Sequence, residues 1–175
     1  WTADLNGHKI SQLEQLTGTS NSEYWESQAS ISCDGDVLYF ASNRPGGLGG
    51  TDIWMSTLDE EGNWSEARNL GPNINTAEDE EAPFISNDSK TLFFSSTGHP
   101  GLGEQDMFLS RLDEAGHWQK PVNLGAPINS SYRELGFYLS SNGTTGYFAS
   151  DRDHPQAAGG LDIYSFELPD ELNAE

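Results

Sequence analysis

The chain has 175 residues, of which 28 are Asp or Glu and 8 are Lys or Arg, for a formal net charge of -20. That excess repels a phosphate backbone or an anionic bilayer surface, which argues against nucleic acid as a partner; no apolar stretch reaches the roughly 20 residues of a spanning helix, which argues against direct membrane insertion. Cys33 is the sole cysteine, excluding an internal disulfide and a cysteine-built zinc site. The start at Trp1, without an initiator Met, is expected of a processed or excised piece.

In chain order, residues 1–21 read as an outer strand and connection belonging to a preceding or last unit, because Leu5-Asn6-Gly7 and Gln15-Leu16 resemble the end of the units that follow. From residue 22 the chain repeats. Residues 22–75 and 76–129 align without a gap and share 22 of 54 positions. A third copy, 130–168, stays in register until a two-residue insertion before Asp162, and stops before a fourth strand. Residues 169–175 read as a polar tail or linker. A fixed period of this length marks a repeat architecture.

Within each unit the order of signals is the same. A short run ending in Ser (Ile31-Ser32, Ile85-Ser86, Leu139-Ser140) predicts a first strand. Asp34-Gly35, Asp88-Ser89 and Asn142-Gly143 supply a tight hairpin. The aromatic runs ending at Ser42, Ser96 and Ser150 predict a second strand, and after a Gly-rich loop Asp52, Asp106 and Asp162 open a third. Trp64 and Trp118 begin an expected fourth, outer strand that ends at Asn69-Leu70-Gly71 and Asn123-Leu124-Gly125. Four short antiparallel strands per repeat, without helical periodicity, make the fold class all-β and the unit one blade of a β-propeller. Three blades do not close a ring, so further blades or self-association are expected to cover the open edges.

The hairpin Ser32-Cys33-Asp34-Gly35, the strand Leu38 to Arg44, the segment Gly47-Leu48-Gly49-Gly50-Thr51-Asp52-Ile53-Trp54, and the stretches Trp64 to Asn75 and Trp118 to Asn129 resemble the TolB-type, WD40-like propeller repeat. The version it is most similar to accompanies OmpA-type peptidoglycan-binding domains. This resemblance implies a periplasmic or outer-membrane-associated protein of a Gram-negative envelope and a parent carrying such a domain; the regularity of the repeats argues against a single reaction centre, so the module is expected to be non-catalytic and to bind protein or peptide partners.

Several residues are candidates for chemistry. Glu26, Glu80 and Glu134 precede the first strands and are expected at a channel mouth, where converging carboxylates suit calcium or a basic peptide; Tyr24, Trp25 and Tyr132 beside them are candidates for a binding face. No other cofactor is expected. Asp52, Asp106 and Asp162, with Asp34, Asp88 and Asn142, recur in every unit and read as loop and turn braces, and Trp64 and Trp118 read as blade core. The Gly-rich loops lack the Gly-Lys-Ser/Thr ending of a phosphate loop. His99-Pro100 and His154-Pro155 occupy comparable loops, and His8 and His117 are scattered. The rival readings are a glycan-active propeller enzyme and a calcium-stabilised adhesion module.

Overall fold

The computed structural model describes residues 2–6, 9–16 and 20–169; His8 and the expected tail at 170–175 lie outside them. Among the described residues there are strands and no helix. β1 (Thr2–Asn6) and β2 (Lys9–Glu14) pair antiparallel in a two-stranded sheet of their own, where a single outer strand was expected. The first blade is β3 (Glu26–Ile31), β4 (Val37–Ser42), β5 (Asp52–Thr57) and β6 (Arg68–Asn69). The second is β7 (Glu80–Ile85), β8 (Thr91–Ser96), β9 (Asp106–Arg111) and β10 (Val122–Asn123). The third is β11 (Glu134–Leu139), β12 (Thr145–Ser150) and β13 (Asp162–Glu167). Each blade is an antiparallel meander in sequence order, the first two four-stranded and the third three-stranded.

The outer strands are shorter than expected. Trp64 and Trp118 form isolated bridges to Leu58 and Leu112, and regular pairing resumes only at the two residues of β6 and β10. In the second blade Pro121 stands between them and has no N–H to give to a ladder.

Each first strand carries a bulge at the same place. Gln28 and Ala82 have φ of 54° and 50°, Gly136 has φ of 73°, and the pairing register shifts across each of them. Only glycine enters this region without steric cost. The bulge turns the following residues toward the neighbouring blade: the Ala82 amide donates to Gln28 Oε1 at 2.9 Å, and the Ile85 amide donates to Ser30 Oγ at 3.0 Å.

The core lies between blades, because a sheet exposes two faces and each must be covered. Tyr39 and Ile53 of the first blade meet Ile85, Leu92, Phe94, Phe108 and Trp118 of the second, with Ile74 of the connection between them. Phe93, Met107 and Leu109 of the second meet Phe137 and Phe148 of the third, with Ile128 in the same place. Phe93 stacks on Phe137 with ring centroids 4.0 Å apart, a contact that contributes about 1 kcal/mol beyond its buried area. All of β8 is buried because it has a blade on each side, which explains its unbroken apolar and small-polar run.

Candidate functional site

The three recurring glutamates are anchored inside their own blades. Glu80 accepts from the Thr76 amide (2.6 Å), the Thr76 hydroxyl (2.8 Å) and the Ser96 hydroxyl (2.6 Å). Glu134 accepts from the Ser130 amide (2.9 Å), the Ser130 hydroxyl (2.5 Å) and the Ser150 hydroxyl (2.9 Å). Glu26 repeats the set with Ser22 and Ser42. Donors four residues before and sixteen after each glutamate tie the connection, the first strand and the end of the second strand into one latch.

In the first and third blades an arginine completes the latch. Arg44 reaches Glu26 at 2.9 Å and the Ser20 carbonyl at 2.7 Å; Arg152 reaches Glu134 at 3.1 Å and the carbonyls of Pro127 and Ile128. Both guanidinium groups lie over rings, Arg44 against Phe40 and Trp54, Arg152 against Phe148 and Tyr164. The second blade has Gly98 at that position. There His99 enters the equivalent aromatic site, against Phe94 and Phe108, and its Nε2 lies 2.8 Å from the Ile74 carbonyl. A carbonyl only accepts, so that nitrogen carries a proton. Burial pushes the Glu80 carboxyl up, against the bonds from Ser96 and Thr76 and the influence of His99. At Glu26 burial also raises, but the Ser22 hydroxyl and amide together with Arg44 outweigh it and hold the group below its ordinary value.

This geometry corrects one expectation. Glu80 and Glu134 are completely buried, and the three carboxylates do not converge: among the described residues no group of three or more His, Cys, Asp or Glu could hold a metal ion. Each glutamate is held by donors at fixed offsets within its own repeat, and those Ser and Thr positions are the sequence signal of its anchoring. The space between the bulged first strands is a cleft of about 660 Å³, lined by Gln28, Ser30, Ala82, Phe84, Gly136 and Tyr138 among others, and its described lining contains no carboxylate, histidine or cysteine.

Asp52 and Asp106 are buried at the start of their strands and gather loop amides. Asp52 Oδ2 accepts from Leu48 (2.6 Å), Asp106 Oδ2 from Leu102 and from Asn123 Nδ2 (3.3 Å), and Asp162 Oδ2 from Ala158 (2.9 Å). Asp34, Asp88 and Asn142 accept from the amide two residues on, closing the hairpin turns. Trp118 is buried edge-on against Tyr39 of the preceding blade, with centroids 6.0 Å apart, and Trp64 packs with Leu38, Phe40 and Trp54. Facing solvent near the starts of the first strands are Tyr24, Trp25 and Tyr132, accompanied by exposed Glu23, Glu78 and Asp79 and by exposed Arg133, which pairs with Asp151 at 2.9 Å. His117 is exposed and 3.7 Å from Asp113, while His154 packs edge-on to Tyr164.

No family model matches the sequence, and no curated protein matches it. Solved structures do. TolB from Acinetobacter baumannii aligns with a TM-score of 0.53 at 14% identity, over 80% of this chain and 29% of TolB. An α-L-arabinofuranosidase from Lactobacillus brevis aligns with a TM-score of 0.52 at 14% identity, over 90% of this chain and 57% of the enzyme. The fold is that of β-propeller blades. Identity this low carries the fold and no activity, and the chain spans well under two thirds of either protein.

Proposed function

We propose that the chain is an interaction scaffold, a set of propeller blades that presents an acidic, aromatic loop face to a basic protein or peptide. The observation that carries this reading is the use of the recurring carboxylates: Glu26, Glu80, Glu134, Asp52 and Asp106 are engaged in the same bonds from blade to blade, leaving Tyr24, Trp25, Tyr132, Glu23, Glu78 and Asp79 on an exposed face whose nearby cation, Arg133, is paired with Asp151. The net charge of -20 gives that face a field that attracts cationic partners. The resemblance of the repeats to those of envelope proteins, with TolB among the structural neighbours, supports a periplasmic or outer-membrane-associated setting and a parent that carries an OmpA-type domain.

Titration with a lysine-rich peptide tests the reading. Binding should weaken with added salt, as expected for exposed charges, and should weaken further in the Glu23→Lys/Glu78→Lys double variant and in Trp25→Ala. Equal binding by the wild type and the double variant would remove the acidic face as the docking surface.

A further inference from the structure

The joint between the first two blades lies wholly inside the chain, and its outer part departs from the repeat. Tyr39 pairs with Met55 and Met55 with Arg68, so these three side chains stand in one row across β4, β5 and β6, on the face turned toward the second blade. The same row in the second blade is Phe93, Leu109 and Val122. There Phe93 and Leu109 are sealed in apolar contact with Phe137 and Leu168. In the first joint a phenol, a thioether and a guanidinium take their places.

Between this row and the second blade is a cleft of about 700 Å³, a volume within the roughly 300–1,000 Å³ of small-ligand sites. Its apolar lining is Val37, Met55, Leu70 and Leu112, each only partly buried. Tyr39 also lines the cleft; it is 3% exposed and edge-on to Trp118, and its hydroxyl has no hydrogen-bond partner among the described residues. A buried polar group without a partner costs free energy that a bound acceptor would return. Burial first, and the Asp34 charge second, push the phenol up to about 12, so it keeps its proton and can donate. Arg68 has no carboxylate partner among the described residues, in a chain of 28 acidic and 8 basic side chains. Asn73 Nδ2 donates to the Trp118 carbonyl at 2.7 Å, which fixes the amide and leaves its Oδ1 to accept.

We propose that this cleft binds the C-terminal end of a peptide whose last residue is apolar: Arg68 and the Tyr39 hydroxyl donate to the carboxylate, Asn73 accepts a peptide N–H, and the side chain lies against Met55 and Leu70. A guanidinium matches a carboxylate with two parallel N–H donors. A dianion such as phosphate is disfavoured, because Asp34 lines the same cleft and Arg68 is a single cation. A sugar is disfavoured because Trp118 is 8% exposed and turned edge-on to Tyr39, which leaves little ring face for stacking. A fatty acid would leave Asn73 and Asp34 unused. The cleft lies beside the Asp34 hairpin, at the opposite end of β3 from Tyr24 and Trp25, so the site stands independently of the acidic loop face.

Titration calorimetry on the 175-residue chain tests this with three probes: an acetylated Ala-Ala-Leu peptide with a free carboxylate, its C-terminal amide, and octanoate. The acid should bind, and the amide should bind about tenfold more weakly for the loss of a charge-assisted pair. Arg68→Gln, at an exposed position, should weaken the acid by about tenfold and leave the amide unchanged. Tyr39→Phe, which copies Phe93 of the second joint and removes only an unpartnered hydroxyl, should weaken the acid by roughly threefold to tenfold while the urea midpoint holds. No binding of the acid at millimolar concentration, equal binding of acid and amide, tighter binding of octanoate than of the peptide, or wild-type affinity in both variants would each overturn the proposal.

Discussion

The second blade and the third solve the same problem with different chemistry. Both bury a glutamate completely and surround it with the same hydroxyl and amide donors, but Glu134 has Arg152 and Glu80 has only the more distant influence of His99. The burial of a carboxylate is expensive unless a cation or enough hydrogen bonds compensate it. The third blade therefore holds an ion pair whose halves depend on each other. The second holds an acid that burial favours in its neutral form. Repetition of a fold position conserved the bonding outline, and the charge state was free to vary within it.

The largest effect should come from breaking the pair that is complete. Arg152→Met keeps much of the stem that lies over Phe148 and Tyr164 but leaves Glu134 without its cation, which should cost on the order of 3 kcal/mol in urea unfolding. Arg44→Met should cost less, about 1 kcal/mol, because Glu26 retains 15% of its side-chain surface in solvent. Equal losses for the two would mean that burial is not what sets the scale.

Copying the arginine into the second blade should fail. Gly98 stands at that position, and a Cβ there would meet Thr76 Oγ1 at 1.9 Å and Thr76 Cβ at 2.8 Å, since the loop runs against the connection. Gly98→Arg should therefore destabilise by about 2 kcal/mol, the usual range for overpacking, although it would bring a cation toward Glu80. A stabilised variant would show that the missing charge matters more than the space.

Removing the carboxylate charge should separate the two blades by sign. Glu134→Gln discards half of an ion pair and should lower stability by about 1–2 kcal/mol at neutral pH; Glu80→Gln removes an uncompensated buried carboxylate and should be neutral or stabilising there. The Glu80 carboxyl is raised in the folded state, so its contribution is complete below its unfolded value and is lost as pH rises through the folded one. The wild type should thus gain on Glu80→Gln as pH falls from neutral toward the ordinary carboxylate range. Glu26 runs the opposite way: its carboxyl is held down, so the stability it gives is present above the unfolded value and lost as the medium is acidified through the folded one. Thermal melts across pH for Glu80→Gln and for Glu26→Gln, each against the wild type, check both directions.

How much of this was legible in sequence depends on the range of the interaction. Blade order, hairpins and strands followed from local signals such as Asp34-Gly35 and the aromatic run before Ser96, and the structure has them. The outer strands, expected to run on from Trp64 and Trp118, are shorter: the two residues make isolated bridges, their rings are blade core as expected, and the ladder resumes only at Arg68 and Val122. The glutamates are expected from sequence at a channel mouth because each stands just before an innermost strand, and an acidic residue there is ordinarily solvated. Their anchoring rests on donors four residues before and sixteen after, a pattern visible in the repeat once Ser22, Thr76 and Ser130 are compared with Ser42, Ser96 and Ser150.

The smallest expected effects are at the bulges, and there too the blades differ. Ala82 and Gly136 occupy the same left-handed position, but only glycine holds it without a clash between Cβ and backbone. Gly136→Ala should cost about 1 kcal/mol, with open space around the added methyl leaving the dihedral as the cause. Ala82→Gly relieves the same strain but gives up a buried methyl and adds freedom to the unfolded chain, so it should change stability by less than about 1 kcal/mol. The strain at Ala82 is held by its amide bond to Gln28 of the neighbouring blade. Gln28→Ala should therefore make Ala82→Gly more favourable than it is in the wild type, and a double-mutant cycle that finds the two changes additive would detach the bulge from the joint it faces.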